Sequence, residues 1–272
     1  MSSGELAYAI SLLGPTRVRA ATGEVNLRPS LRRSLLELLA LRPAEAVPLG
    51  LIVEELWSGA APERPAQAIQ AHVRRLRAML VRDGVPAQAL PVRLTGGGFL
   101  LDVSPESVDA VHMVELVNEA AGLPADSALA AIPLLERALA LWAGEPFGGI
   151  VDGVRHRSAA RYWEEVRLLA VRSWAAAQLR VGRPHRVITR FHADGLAGSI
   201  DEGLIALLIS ALHRVGRKVD ALEAYRSFRG RLVEEFGVEP SADLQQFHQL
   251  ILLDDRNANT TAAPLLDSIG GC

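Results

Sequence analysis

Residues 66–81 read AQAIQAHVRRLRAMLV, and the spacing of residue types in this stretch predicts one amphipathic helix. At about 100° per residue, four apolar residues fall on one side of the helix and predict a buried stripe. They are Ile69, Val73, Leu76 and Leu80. The opposite half carries small, amide and basic side chains, namely Gln67, Gln70, Ala71, Arg74, Arg75 and Ala78. Pro65 is well suited to be the first residue of this helix.

All the charged side chains of this helix are basic. From Arg64 to Arg82 there are five arginines and no acidic residue, and Arg77 lies at the flank of the buried stripe. Small residues near the start of a helix allow it to approach base edges in the major groove. There, Gln can pair with adenine and Arg with guanine or phosphate. A solvated arginine face on an ordinary amphipathic helix is the alternative, so the neighbouring elements decide between the two interpretations.

The elements around this helix follow a recognisable order. Short apolar runs bounded by turn residues predict a small antiparallel sheet, and a glycine-centred turn predicts a hairpin. The strands lie near residues 6–13, 18 and 25–27, two helices span about 31–41 (with Ser30 as N-cap) and 49–57, and the hairpin spans 92–103 around Gly96–Gly98. Strands, three helices and a hairpin predict a winged helix-turn-helix domain over residues 1–104.

The rest of the chain has helical periodicity. Predicted helices lie near 108–122, 126–142, 154–181, 184–197, 201–215, 218–236 and 241–253. The tripeptide Val-Gly-Arg occurs twice, and its glycines, Gly182 and Gly216, are 34 residues apart, which is the tetratricopeptide period. We therefore predict a mainly α protein, with a winged helix-turn-helix that has a small β-sheet and a wing hairpin, followed by an all-α tetratricopeptide-like domain over 105–255. Residues 256–272 are predicted to form a mobile tail.

Composition narrows the function classes. The chain has 272 residues, 49% of them hydrophobic, and a net charge of −2. This net charge conceals an asymmetry, because residues 1–103 carry a net charge of +3 and residues 104–272 carry −5. No apolar run approaches the roughly 18 residues of a membrane span, and the first residues lack the basic start of a secretion signal. We expect a cytoplasmic protein with no membrane partner.

Motifs for catalysis and for cofactors are missing from the sequence. It contains no G-x-x-x-x-G-K-[ST], no H-E-x-x-H and no G-x-S-x-G, and Gly96–Gly98 is followed by neither a Lys-Ser/Thr pair nor a helix. The single cysteine is Cys272, and the histidines are scattered over different predicted elements. We expect no enzyme activity, no catalytic residues, no metal site and no cofactor. A helical-repeat adaptor that binds proteins and not DNA stays open as the alternative function.

Several stretches carry a family resemblance. Residues 68–77 resemble the recognition helix of OmpR/PhoB-type winged-helix regulators, the effector domains of two-component systems. Residues 12–15, 51–57 and 98–101 narrow this resemblance to the SARP family, the Streptomyces antibiotic regulatory proteins. Residues 138–142, 221–225 and 234–240 are similar to the bacterial transcriptional activator domain of that family. The resemblance covers about residues 5–253, and the order and spacing of the motifs make it specific.

The resemblance implies a transcription activator of a secondary-metabolite (antibiotic) biosynthetic cluster. Such a protein would bind direct repeats in double-stranded DNA near the −35 region, as a homodimer on DNA, and recruit RNA polymerase holoenzyme. Arg75 would read bases, while Gln67, Gln70 and Ala71 would face the groove.

The resemblance also implies backbone contacts. His72, Arg74 and Arg77 would contact phosphates or flanking bases, and Arg28, Arg32 and Arg33 would contact phosphates. Relatives often carry an arginine immediately before the wing turn, but this chain has Thr95 there. Arg93 lies two residues earlier and, by strand alternation, on the same face, so it is the substitute candidate for the minor groove.

Overall fold

The computed structural model describes residues 8–20, 23–58, 60–85, 90–124, 126–150 and 153–253. Within these residues, five strands precede most of the helices. The strands are β1 (Tyr8–Ser11), β2 (Arg17–Ala20), β3 (Gly23–Asn26), β4 (Val92–Thr95) and β5 (Gly98–Leu101). The helices are α1 (Leu31–Ala40), α2 (Leu49–Trp57), α3 (Pro65–Arg82), α4 (Asp109–Ala121), α5 (Ala128–Ala140), α6 (Val154–Arg180), α7 (Pro184–Ala193), α8 (Glu202–Arg214), α9 (Lys218–Phe236) and α10 (Ala242–Leu252). The predicted fold class is confirmed.

The N-terminal sheet is antiparallel in the order β1-β2-β3. Ile10 pairs with Val18, and Val18 pairs with Val25, so three buried side chains form one row across the sheet. The second sheet is the hairpin β4-β5, which is the predicted wing. Its root is held at Phe99, whose backbone exchanges two hydrogen bonds with Val47.

Gly98 at the start of β5 is required by close packing. Its φ is +136°, and a Cβ atom there would lie 2.0 Å from the carbonyl oxygen of Val47. No side chain fits without moving backbone.

The three helices between the sheets form the helix-turn-helix. Ser30 caps α1 as predicted, because its Oγ accepts a hydrogen bond from the backbone N–H of Arg33. Pro65 is the first residue of α3. The buried residues of this helix are the four that the predicted stripe contains. Ser58 ends α2 in the left-handed conformation, with φ of 48°. The helix that the sequence singles out is therefore anchored along one face and free along the other.

Two compact units make up the chain. Of the described residues, the first unit comprises those within 8–116 and 137–167, and the second those within 117–136 and 168–253. The predicted domains, 1–104 and 105–255, stay a prediction, and residues 109–116 and 137–167 pack within the first unit. Asp109 shows this packing directly, since its carboxylate accepts hydrogen bonds from the backbone N–H groups of Leu12 and Leu13, at 2.7 and 3.2 Å.

The second unit is helical and contains the predicted internal repeat. Gly182 and Gly216 both adopt left-handed φ angles, 72° and 79°, in the turns after α6 and α8. The N–H of Arg183 donates to Gln178 O at 2.8 Å, and the N–H of Arg217 donates to Leu212 O at 2.9 Å. The two turns are therefore equivalent at a spacing of 34 residues. Residues 204–212 of α8 are all buried.

Two expectations need adjustment or lie outside this description. The helix predicted over 184–197 ends at Ala193, because Gly195 takes a left-handed φ of 69° before a short 3-10 turn at Leu196–Gly198. The tail predicted over 256–272 and the first two residues of the predicted first strand lie outside the described residues. Among the helices that the structure describes, none is both long and apolar enough to cross a membrane.

Candidate nucleic-acid interface

The exposed face of α3 carries the side chains that the sequence singled out. Gln67, Arg74 and Arg75 are exposed, whereas Gln70 and Ala71 are half-buried at the edge of this face. Neither Arg74 nor Arg75 has an ion pair or a side-chain hydrogen bond with any residue that the structure describes. A guanidinium in this state presents all five of its N–H donors to solvent or to an incoming ligand.

His72 lies between this face and the helix-turn-helix packing. Its ring packs against Trp57 of α2, with ring centroids 6.2 Å apart and an interplanar angle of 44°. Burial lowers the pKa of His72, and the charges of Arg75 and Arg32 lower it further. His72 is therefore neutral at pH 7, and the structure brings it together with Arg32 and Arg75.

A second group of basic side chains lies beside α3. A cavity of about 600 Å³ between β3, the start of α1 and α3 is lined by Arg28, Arg32 and Arg82 among other residues. Arg28 is exposed and Arg32 is half-buried, and neither forms an ion pair within the described residues. These arginines flank the N-terminus of α1, where the helix dipole also favours an anion.

Arg33 differs from Arg28 and Arg32 because its guanidinium is engaged inside the protein, and its phosphate contact stays a prediction. The residue is 5% exposed. Its Nε donates to Glu37 Oε1 at 2.6 Å, and its Nη2 donates to the carbonyl oxygen of Phe147 at 2.6 Å. The i,i+4 spacing to Glu37 on α1 places the pair on the buried side of the helix.

The wing presents the two residues considered for the minor groove. Arg93 and Thr95 are both exposed and lie two residues apart on β4, so they point to the same side. Arg93 forms an ion pair with Asp102. The Thr95 hydroxyl donates to Gly98 O at 3.1 Å, within the wing turn.

Arg77 occupies an intermediate position. It is half-buried, and its guanidinium donates to two backbone carbonyl groups, those of Leu90 and Val92. Helix α3 is thereby bonded to the chain segment from which β4 begins.

The sequence analysis missed a buried polar cluster behind the helix-turn-helix. Glu37 Oε1 accepts a short hydrogen bond from the Thr16 hydroxyl, and Glu37 Oε2 lies 3.6 Å from His156 Nε2. The other ring nitrogen of His156, Nδ1, lies 2.9 Å from Glu55 Oε1. We call Thr16, Arg33, Glu37, Glu55 and His156 the buried cluster.

Glu55 connects α2 to the first turn of α6. Its Oε1 accepts hydrogen bonds from the backbone N–H groups of Arg155 and His156, at 2.9 and 3.3 Å. These bonds and the His156 ring outweigh burial and lower the pKa of the Glu55 carboxyl. No local pattern reveals this role, because Glu55 and His156 are 101 residues apart.

Comparison with known proteins agrees with this geometry. The family described as "Bacterial transcriptional activator domain" matches residues 108–252. Transcriptional regulator RedD of Streptomyces coelicolor is 36% identical over 248 residues, which cover 90% of this chain and 71% of that protein. Regulatory protein DnrI of Streptomyces peucetius is 32% identical over 254 residues, which cover 90% of this chain and 92% of that protein.

A solved structure is also similar. The structure described as "Mycobacterium tuberculosis EmbR in complex with low affinity phosphopeptide" matches with a TM-score of 0.77 at 25% identity. The match covers 97% of this chain and 71% of that one. A winged helix-turn-helix joined to a bacterial transcriptional activator domain defines a class of transcription regulators. The chain belongs to the SARP family, so the predicted resemblance is confirmed, and the names of these relatives describe regulators and not enzymes.

Proposed function

We propose that this regulator is a cytoplasmic, sequence-specific DNA-binding activator of a secondary-metabolite biosynthetic cluster. One observation carries the proposal. The exposed face of α3 holds Arg74 and Arg75 without acidic partners, while the opposite face of the same helix is fixed in the core. A rigid helix with unneutralised arginines on its free side suits the major groove of a duplex.

The roles of individual residues follow from their positions. Arg75 reads a base edge, with Gln67, Gln70 and Ala71 facing the groove. Arg28, Arg32 and Arg74 contact phosphates, which fix the register without reading sequence. His72 supports this face from beneath, and Arg93 and Thr95 on the wing lie towards the minor groove.

The salt dependence of binding tests the electrostatic part of this proposal. The logarithm of the association constant for promoter DNA from a neighbouring biosynthetic operon should fall linearly with the logarithm of salt concentration, by about 0.9 per phosphate contact. Fluorescence anisotropy measures it. Absence of binding to any duplex would favour the alternative, a protein-interaction adaptor.

Two substitutions separate base reading from phosphate contact. Arg75→Ala should weaken binding by roughly 1–3 kcal/mol and relax preference at one base position. Arg28→Ala should weaken all sequences alike and lower the salt slope by about one. The matched control is Arg226→Ala, which removes one charge from an exposed position on α9 in the second unit and should change neither quantity. An unchanged sequence preference in Arg75→Ala would disprove its role in base reading.

The assembly on DNA is the finer part of the proposal. We expect two copies on direct repeats one helical turn apart, bound head to tail, with the helical unit supporting the second copy or RNA polymerase holoenzyme. Inserting about five base pairs between the repeats turns one copy to the opposite face of the duplex. Footprinting should then show that the two copies no longer bind cooperatively, and in-vitro transcription should show that activation is lost. Full activation from the shifted promoter would rule out the tandem arrangement while leaving DNA binding intact.

A further inference from the structure

Arg77 differs from the other arginines of α3 in what its guanidinium contacts. Its Nε donates to Leu90 O at 3.1 Å, and its Nη2 donates to Val92 O at 2.9 Å. Arg74 and Arg75, by contrast, are exposed and have no such bond among the described residues. A bidentate guanidinium fixes direction as well as distance, because its donors lie in one rigid plane.

The two carbonyl groups flank the point where the wing begins. Leu90 is fully buried, and its carbonyl oxygen also accepts the N–H of Val92 at 2.9 Å. Immediately after β5, the N–H of Asp102 donates to Pro91 O at 2.9 Å. The backbone of residues 90–92 is therefore held from one side by α3 and from the other by the segment after β5.

The first wing strand has little else to hold it. No residue of β4 is fully buried, and Arg93, Leu94 and Thr95 are exposed. The core contacts of the wing come instead from β5, through Phe99 and Leu101. Hydrophobic packing thus positions β5, whereas β4 depends on its ladder with β5 and on the Arg77 guanidinium.

We propose that Arg77 is a positioning residue that sets the placement of the wing relative to the recognition helix. This inference rests on the proposed DNA-binding function, in which α3 and the wing contact the same duplex. It replaces the phosphate contact that the family resemblance implies for this residue. The side chain acts through the backbone of the wing and need not touch DNA.

The conservative variant Arg77→Lys provides the decisive test. Lysine keeps the charge but cannot donate to both carbonyl groups in the plane of a guanidinium. If Arg77 positions the wing, Arg77→Lys and Arg77→Ala should both bind promoter DNA about tenfold more weakly, as expected if the wing then keeps its binding-competent placement for about one-tenth of the time. The salt slope should stay at the wild-type value in both variants. Arg74→Ala, the matched control for a phosphate contact, should lower that slope by about one.

A measurement without DNA separates this inference from the proposed function. Amide hydrogen exchange over residues 92–101 should be faster in Arg77→Lys than in the wild type, while exchange over α1 should stay unchanged and show that the first unit is folded. Faster exchange with no DNA binding by the wild type would refute the proposed function and keep the positioning role. Wild-type affinity and exchange in Arg77→Lys, with a lowered salt slope in Arg77→Ala, would overturn the inference and restore a phosphate contact. Wild-type behaviour of both variants would show that Arg77 has no role in the wing.

Discussion

The first unit buries side chains that carry or can carry a charge, among them Arg33, Glu37, Glu55 and His156. The buried polar side chains described for the second unit are Gln178 and Ser210. Apart from the 18-residue helix α3, the first unit is assembled mostly from short elements, namely four-residue strands and the helices α1 and α2 of ten and nine residues, which have little apolar area each. The second unit has a central helix that is apolar over nine consecutive positions, except for Ser210. Hydrogen bonds and ion pairs between buried polar side chains stabilise the packing of the short elements, whereas burial of apolar surface stabilises the packing of the long helices.

The arginines of the second unit illustrate the same contrast. Arg214 Nη1 donates to Leu179 O at 2.7 Å, and Arg231 Nη2 donates to Ser199 O at 3.1 Å. The accepting carbonyl groups lie at the ends of helical segments, where backbone carbonyl groups lack partners within the helix. The two arginines tie one helix pair to the next without a buried carboxylate. The comparison suggests that substitutions will affect the two units through different mechanisms.

The largest effect is expected at the centre of the buried cluster. Glu37→Ala removes the partner of Arg33 and leaves its charge buried, so it should lower the free energy of unfolding by about 3–5 kcal/mol. Urea denaturation measures this, with hydrogen exchange to assign the loss to the first unit. The double variant Arg33→Met/Glu37→Leu should recover most of the loss, because it leaves no unpaired charge. A loss in Glu37→Ala no larger than that of an exposed ion pair would contradict the importance of the cluster.

A pH dependence should arise at Asp109. Burial raises the pKa of this carboxyl from 3.8 to about 6, although the backbone N–H groups of Leu12, Leu13 and Ala110 oppose the shift. The folded state then binds more protons than the unfolded state between about pH 4 and pH 6. This contribution to the free energy of unfolding, at most about 3 kcal/mol, is complete below pH 4 and is lost as the pH rises through 6.

The variant Asp109→Asn does not titrate and provides the control. Thermal unfolding of the wild type minus that of the variant should change between pH 4 and pH 6 and be flat above pH 7. Glu55 has a lowered pKa and acts in the opposite direction, since its contribution is lost as the pH falls. A difference profile that is flat throughout would show that Asp109 keeps its ordinary pKa.

The core of the second unit should tolerate exchange of similar volumes. Leu207→Met, on the fully buried helix α8, should lower the free energy of unfolding by less than about 1.5 kcal/mol, because methionine fills nearly the same space without a polar atom. The matched exchange in the first unit is Glu37→Gln, which keeps volume but removes charge and should cost more. Equal losses in urea denaturation would remove the distinction between the two units.

The smallest effect is expected for a pair on the surface of the second unit. Arg190 Nε lies 2.9 Å from Asp194 Oδ2 at an i,i+4 spacing, with both side chains about one-third exposed. Asp194→Asn should lower the free energy of unfolding by about 0.3–0.5 kcal/mol, and the effect should shrink with added salt. A salt-independent loss above 1 kcal/mol would mean that this pair also orders the Arg190 guanidinium over the Trp174 ring, 5.3 Å away.

The sequence was most informative where a contact is local. The buried stripe of α3, the Ser30 cap and the 34-residue repeat all depend on spacings within one or two elements, and the structure has each of them. The internal contacts of Arg33 could not be predicted in this way, because its guanidinium donates to the carbonyl oxygen of Phe147, 114 residues away. No periodicity can reveal such a bond.

Helix α3 shows within a single element that local periodicity does not reveal contacts with other elements. A helical wheel places Arg74 and Arg75 opposite the buried stripe and Arg77 at its flank, but it does not reveal that Arg77 bonds to the segment where the wing begins. Its partner segment is 13–15 residues away and its geometry depends on the hairpin. The roles of the exposed arginines in binding DNA stay predictions until binding is measured.

The glycines of the wing determine which positions of this hairpin can accept a substitution. A Cβ atom at Gly98 would overlap the backbone of Val47, whereas a Cβ atom at Gly96 would have no atom within 4 Å. The tip of the hairpin thus has room for a side chain, whereas the start of β5 is fixed by close packing. A side chain can therefore be introduced at residue 96 without displacing other atoms, provided that the glycine at 98 is kept.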